Sequence, residues 1–137
     1  MRIICVNTGK KYTQWHTDNL KHMIDQYSGL KYDEFVCMDT DLYDGVFNKL
    51  IIFDRFRDGE NIFFDLDVVI YNTLPDLVRK DLTLVHCWWR DKYHTPLNSS
   101  IMSFWKPGRA NCLSSCWPII SLTLGNKSDI NLLDKNP

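Results

Sequence analysis

The chain has 137 residues, a formal net charge of −1, 45% hydrophobic residues and 24% charged residues. This length suits one domain over residues 1–137, and the scattered Lys and Arg argue against a nucleic-acid binder that relies on a phosphate-neutralising face. No apolar run approaches the ~20 residues of a membrane span, and the N-terminal run at residues 3–6 is too short for a signal peptide.

The five cysteines are an odd number, and Cys5 and Cys37 lie within apolar, strand-like runs. This usage favours buried, reduced thiols over a disulfide framework. Cys112 and Cys116 have no second Cys or His pair at zinc spacing, which gives a zinc site little support. Together with the absence of a predicted membrane span, the cysteines predict a cytoplasmic protein.

Three short apolar runs in the first half of the chain predict buried strands at residues 3–6, 34–38 and 61–64. Between the first two, apolar residues recur at helical spacing over residues 15–27. Thr13 or Thr17 is a candidate N-cap for this helix, and Ser28-Gly29 is its expected stop.

The remaining elements are predicted from shorter patterns. Residues 46–53 suggest a second helix, and Pro75 suggests a short helical turn. Residues 82–86 and 99–104 predict two further strands, joined by a polar loop. Strands that alternate with helices predict an α/β fold with a mostly parallel central sheet flanked by helices.

A polar segment follows each of the first three predicted strands: Asn7-Thr8-Gly9, Asp39-Thr40-Asp41 and Asp65-Leu66-Asp67. Ligands of open α/β sheets bind beyond the carboxyl ends of the strands, so we expect these segments to meet.

Asp65 and Asp67 are the strongest of these features, because two like charges beside a buried strand are costly unless they are compensated. A Mg²⁺ or Mn²⁺ ion would compensate them, and the two side chains point the same way if the chain stays extended. The pattern alone also allows two aspartates that merely cap the following turn.

Residues 63–77 resemble the DxD segment of GT-A-fold glycosyltransferases, in which a strand runs into a DLDVVI-type sequence. Further segments resemble this family in the same order. They are the first strand and the aromatic that follows it (residues 3–7 and Tyr12), the first helix (15–23), the second strand and its base-binding turn (35–41), the helix before the DxD strand (47–53) and the donor-sugar segment (97–104).

The resemblance implies a GT-A-like single domain with a Rossmann-like nucleotide-binding half, and a hexosyltransferase that uses a UDP- or GDP-sugar. It implies that Asp65 and Asp67 hold Mn²⁺ or Mg²⁺. Asp65 would also touch the ribose. The other implied donor contacts are Asn7, Thr8, Tyr12 and Asp39 around the nucleoside, Lys49 near the phosphates, Asn98 and Ser99 at the sugar, and Val6 and Leu66 without a more specific role.

The acceptor side is predicted from two adjacent tryptophans, which cannot both face inward if they lie on one strand. Tryptophan rings stack on sugar C–H groups, so Trp88, Trp89 and His94 are expected to line an acceptor cleft. The acceptor is left open as a carbohydrate, a lipid-linked or a protein hydroxyl, and no catalytic base is predicted, which leaves inversion and retention both open.

The sequence departs from the family pattern in its short C-terminal part. Family members often place a metal-binding His after the donor-sugar segment, whereas no His follows His94 here. Asp129, Asp134 or water could take that position. A nucleotide-sugar-binding relic without turnover therefore stays open as an alternative. So does a haloacid-dehalogenase-type phosphatase, in which Asp65 would be the nucleophile and Asp67 the general acid.

Overall fold

A computed structural model describes residues 1–43, 45–79, 81–87 and 96–106. Its five strands are β1 (Arg2–Val6), β2 (Glu34–Met38), β3 (Gly59–Phe64), β4 (Thr83–His86) and β5 (Leu97–Lys106). They form one sheet in the order β2-β1-β3-β5-β4. β1 pairs in parallel with β2 and β3, whereas β5 is antiparallel to both β3 and β4.

The predicted α/β class is confirmed, and the five predicted strands are all present. The predicted parallel pairing is found between β1 and β2 and between β1 and β3. It fails for β5, whose antiparallel pairing with both neighbours makes the sheet mixed.

The strand side chains alternate between two apolar layers, because successive residues of a strand point to opposite faces of the sheet. Ile3 and Phe64 pack on one face with Leu20 and Ile24 of the first helical segment. On the other face, Phe63 and Met102 lie in a second buried cluster, which also includes Ile4, Met38, Ile51, Ile52, Phe53 and Phe104. Both faces of the sheet centre are therefore covered, which explains why β1 and β3 read as continuous apolar runs.

The first helix, α1 (Gln14–Met23), is preceded by Thr13 at the N-cap position, and the Thr13 amide donates to His16 Nδ1 at 3.1 Å. A single π-helical turn, Ile24–Ser28, follows α1 and ends at Gly29, whose φ of 71° is left-handed. Glycine takes this conformation without a Cβ penalty. The predicted helix and its stop at Ser28-Gly29 are confirmed.

The second predicted helix begins as a 3₁₀ segment, Gly45–Ile51, and continues as one α-helical turn, α2 (Ile52–Arg55). The helical turn predicted at Pro75 is wrong, because the chain is irregular there. The Leu74 amide instead donates to the Ser28 carbonyl at 2.9 Å, so tertiary contact with the end of the first helical segment outweighs local propensity.

Candidate functional site

The carboxyl ends of β1 and β3 open onto a cavity of about 280 Å³. It is lined by Val6, Thr8, Gly9, Lys11, Tyr12, Asp41, Gly45, Asn48, Lys49, Phe63, Asp65, Leu66 and Asp67. The chain leaves β1 towards β2 on one side and later returns to β3 on the other side. The cavity therefore lies at the topological switch point, where open α/β sheets bind ligands.

Asp65 and Asp67 reach this cavity from a tight turn rather than from an extended chain. The Asp65 amide donates to the Ser100 carbonyl at 2.8 Å, and the Val68 amide donates back to the Asp65 carbonyl at 3.2 Å. Leu66, only 5% exposed, points into the α1-side core and anchors the turn. The chain therefore does not stay extended over these residues, but both carboxylates line one cavity.

Asp65 forms an ion pair with Lys49. The Lys49 Nζ atom lies 3.1 Å and 3.2 Å from the two carboxylate oxygens of Asp65 and 3.0 Å from Ser99 Oγ. The side chains of Lys49 and Asp65 are 18% and 28% exposed, so water screens this pair only partly. Lys49 thus connects the 3₁₀ segment, the DxD turn and the start of β5.

Asp67 is held by a different set of groups. The Tyr12 hydroxyl donates to Asp67 Oδ2 at 2.8 Å, and Lys11 Nζ lies 3.6 Å from the same oxygen. The Tyr12 hydrogen bond is the main cause that holds the pKa of Asp67 below its ordinary value, and a backbone hydrogen bond and the Lys11 charge lower it further. Partial burial raises the pKa of Tyr12. Asp67 is consequently ionised and fixed against the segment that follows β1.

Asn48 organises another part of the cavity wall, although its side chain is only 1% exposed. Its Oδ1 accepts the backbone amides of Leu42 and Tyr43 at 2.9 Å and 2.8 Å. Its Nδ2 lies within hydrogen-bond distance of Asp41 Oδ1 at 2.6 Å, Thr8 Oγ1 at 3.2 Å and the Gly45 carbonyl at 3.3 Å. One buried amide therefore ties the loop after β2 to the end of β1.

The structure brings seven of the predicted site residues to the cavity: Val6, Thr8, Tyr12, Lys49, Asp65, Leu66 and Asp67. Other predicted residues do not line it. Asn7 donates its side-chain amide to Thr17 Oγ1 at 3.1 Å, and Asn98 Oδ1 accepts the Ser100 amide at 2.6 Å. Ser99 reaches the cavity indirectly through Lys49, and Asp39 is exposed at the end of β2.

Six lining residues were not among the predicted contacts: Gly9, Lys11, Asp41, Gly45, Asn48 and Phe63. Asp41 and Gly9 lie in the polar segments expected to meet at the strand ends, so position alone could have indicated them. Asn48 carries no such signal, because it lies within a helical pattern and four of its five partners come from two other segments, the loop after β2 and the end of β1.

The predicted acceptor residues Trp88, Trp89 and His94 lie outside the described residues, as do Asp129 and Asp134. His86 is half-buried on β4. Over the described ranges, no three His, Cys, Asp or Glu side chains are grouped closely enough to hold a metal ion by themselves.

The charges around the cavity suit a ligand that has both anionic and hydrogen-bond-donating parts. Three carboxylates and two lysines line it, which leaves one net negative charge. Lys11 and Lys49 offer cationic groups to phosphate, whereas Thr8 and Asp41 offer oxygen acceptors to N–H or O–H groups.

Comparisons with protein-family models, curated proteins and solved structures found no match to this chain. Among the described residues, no helix is both long enough and apolar enough to cross a membrane. Because no comparison indicates a function, the functional proposal is based on the residues and geometry of the cavity.

Proposed function

We propose that this chain is a metal-dependent glycosyltransferase of the GT-A type that moves a sugar from a UDP- or GDP-sugar to an acceptor hydroxyl. The observation that carries the proposal is the common cavity of Asp65 and Asp67 at the switch point of the sheet, with Lys11 and Lys49 in its wall. The parallel pairing of β1 with β2 and β3 supports a Rossmann-like nucleotide-binding half.

The donor groups suit a divalent cation that is shared with phosphate. Among the residues that the structure describes, Asp65 and Asp67 have no third clustered ligand and do not make an all-protein cage, but Mg²⁺ is commonly bound by one or two carboxylates together with substrate phosphates. Asp65 and Asp67 would hold a Mg²⁺ or Mn²⁺ ion in this way. Such an ion would offset the negative charge that develops on a departing diphosphate.

The lysines have a separate role in this proposal. Lys49 is already held by Asp65 and Ser99, so its ammonium group is fixed beside the cavity before a ligand arrives. A pre-positioned cation next to phosphate oxygens stabilises charge without the cost of reorganisation. Lys11 is more exposed and follows the end of β1, where it would contact the same diphosphate from another segment.

The nucleoside would lie beside Thr8 and Tyr12, and Lys49 connects the diphosphate region to Ser99, which is assigned to the transferred sugar. The acceptor cleft at Trp88, Trp89 and His94, and the cytoplasmic location, remain predictions.

A nucleotide-release assay tests this function. A thermal-shift screen of nucleotide sugars with and without Mn²⁺ first identifies the donor, because a ligand that binds the folded state raises the melting temperature. Release of free nucleotide from that donor is then measured for the wild type, Asp67→Ala and Asp58→Ala. Asp58 is an exposed acid at the start of β3 and serves as the matched control.

We expect Mn²⁺-dependent nucleotide release that Asp67→Ala abolishes and Asp58→Ala preserves. Binding without turnover on a panel of donors and acceptors would contradict the enzyme and favour a nucleotide-sugar-binding relic. Hydrolysis of a generic aryl phosphate that depends on Asp65 would favour the phosphatase instead.

A further inference from the structure

The side-chain amide of Asn48 is buried, and three of its five partners are residues that line the cavity. Its nitrogen faces Asp41, Thr8 and Gly45, which are cavity-lining residues, and its oxygen holds the loop amides of Leu42 and Tyr43. A buried side-chain amide is costly unless its donors and acceptor are satisfied. Here the amide is satisfied only if this loop keeps its position.

The loop held by Asn48 depends on a second local feature. Gly45 has a φ of 55°, which is left-handed, and a Cβ placed there would meet no atom within 4 Å. The cost of another residue at this position would be conformational rather than steric. Gly45 therefore allows the chain to turn into the 3₁₀ segment. The buried Asn48 side chain stabilises this turn through hydrogen bonds to Leu42, Tyr43 and Gly45.

The wall that Asn48 organises differs chemically from the part of the cavity near Lys49. Asp41 and Thr8 present a carboxylate and a hydroxyl, which accept hydrogen bonds, and the Asp41 charge repels phosphate. Asn48 uses Asp41 Oδ1, whereas no described group donates to the other oxygen of that carboxylate. Among the described groups, this second oxygen has no donor, and the proposal below assigns it to an N–H or O–H group of the ligand.

We propose that Asn48 is a positioning residue that orients Asp41 and Thr8, and that the wall formed by these two residues receives the ribose hydroxyls or base N–H groups of the nucleoside. This inference rests on the proposed function, since it divides the same cavity into a nucleoside wall and a diphosphate region. Asn48 has no ligand contact of its own in this proposal and acts through Asp41 and Thr8.

Two substitutions separate this role from general stability. Asn48→Asp keeps an oxygen for the Leu42 and Tyr43 amides, but it replaces the amide nitrogen with an oxygen that repels Asp41. Asp41→Asn keeps an oxygen for Asn48 Nδ2, but it removes the charge and replaces the second oxygen, which would accept from the ligand, with an amide NH₂ group. The second variant therefore tests the ligand contact even if the first one does not fold.

Asn61→Asp is the matched control. Asn61 is also 1% exposed, and its side chain contacts Arg2, Asp58 and Gly59 towards the amino end of β3. The same substitution at the same degree of burial therefore disturbs the sheet away from the cavity.

The measurement is calorimetric titration of UDP and GDP, and separately of inorganic diphosphate, each in the presence of Mn²⁺. We expect Asn48→Asp and Asp41→Asn to weaken nucleotide affinity ~10-fold or more, because a charge-assisted hydrogen bond is lost or misdirected. The affinity for inorganic diphosphate should change by less than about twofold in Asn48→Asp, and it should not fall in Asp41→Asn, because that variant removes a charge that repels phosphate. Asn61→Asp should leave both affinities near wild type.

An equal loss of nucleotide and diphosphate affinity would overturn the inference, because it would indicate a general structural role. Unchanged nucleotide affinity in both Asn48→Asp and Asp41→Asn would also overturn it, while leaving the proposed function intact. Wild-type protein that binds neither nucleotide would contradict the proposed function itself and, with it, the nucleoside wall.

Discussion

The two ends of the parallel strands both carry charged residues, but those residues meet different surroundings. At the amino end, Arg2 donates to Glu34 at 2.7 Å and to Asn61 at 3.0 Å, and it lies 3.6 Å from Asp58. Its guanidinium also lies 5.0 Å from the centre of the Phe56 ring. These five residues, Arg2, Glu34, Phe56, Asp58 and Asn61, form the amino-end cluster, in which the other four all contact or lie close to Arg2.

At the carboxyl end, the charged groups surround an open volume of about 280 Å³. Lys49 forms an ion pair with Asp65. Tyr12 and Lys11 both contact Asp67. Charge alone therefore does not distinguish a functional site in this fold. The difference lies in whether the charged groups leave room for a ligand. The carboxyl-end groups surround a cavity, whereas the described amino-end groups contact one another.

The largest expected effect is that of removing a DxD carboxylate. Asp67→Ala should reduce Mn²⁺-dependent nucleotide release by ~100-fold or more, because it removes a group that stabilises developing charge. Asp58→Ala, which removes an exposed carboxylate from the amino-end cluster, should change the rate by less than about twofold. Equal rates in the two variants would contradict the distinction between the ends.

The second effect compares the cations of the two ends. Lys49→Met and Arg2→Met each remove a side chain that is about four-fifths buried, 18% and 23% exposed respectively. Each should lower the free energy of unfolding by about 1–3 kcal/mol, because a partner is left without its hydrogen bonds. Only Lys49→Met should also weaken nucleotide binding, by ~10-fold.

Chemical denaturation and calorimetric titration of both variants measure these two quantities. Loss of nucleotide affinity in Arg2→Met equal to that in Lys49→Met would show that destabilisation alone accounts for the effect.

The third effect concerns the thiols of Cys5 and Cys37, which face each other between β1 and β2 near the cavity end. The neighbouring Cys5 thiol lowers the pKa of Cys37, whereas the Cys37 thiol and burial raise the pKa of Cys5. Cys5→Ala should therefore raise the pKa of Cys37 and shift its alkylation by iodoacetamide to higher pH.

Mass spectrometry of alkylated peptides across a pH series measures this shift. Cys87→Ala is the control, because Cys87 is a buried thiol after β4 and should leave the Cys37 profile unchanged. An identical profile in the wild type and Cys5→Ala would exclude the thiol pair as the cause.

The smallest effect is that of Tyr12→Phe on Asp67. Loss of the Tyr12 hydrogen bond should raise the pKa of Asp67 towards its ordinary value of 3.8. A lowered pKa contributes stability that is present above the ordinary value and lost as pH falls through the folded-state value. The melting temperatures of the wild type and Tyr12→Phe should therefore differ slightly above about pH 5 and converge in acid.

A carboxyl-carbon NMR titration measures the pKa directly. Tyr32→Phe is the matched control, because the Tyr32 hydroxyl donates to Asp25 rather than to Asp67. An Asp67 pKa that moves equally in both variants would contradict the assignment.

The sequence predicted the local elements better than their long-range arrangement. The apolar runs of β1 and β3 and the helical spacing of α1 follow from local patterns, and they were found where expected. The antiparallel placement of β5 between β3 and β4 depends on pairings across the chain, which a local pattern does not encode.

The sequence likewise predicted which segments meet at the site, but it did not predict the contacts between their side chains. Asp65, Asp67 and Thr8 follow buried strands, so sheet geometry brings their segments to one edge. The contacts of Asn48 and Tyr12 were not predictable, because they depend on how the loops fold back over that edge. Asn7 illustrates the same limit in reverse, since it follows β1 but turns towards Thr17 of α1.

Hydrogen–deuterium exchange with and without a nucleoside diphosphate and Mn²⁺ tests the central claim most directly. The account predicts slower exchange over residues 8–12, 41–43, 45–48 and 65–67, which contain most of the cavity-lining residues, and unchanged exchange over residues 57–61 at the amino end. No ligand-dependent protection at the cavity wall, or protection centred on residues 57–61, would contradict the assignment of the carboxyl-end cavity as the nucleotide site.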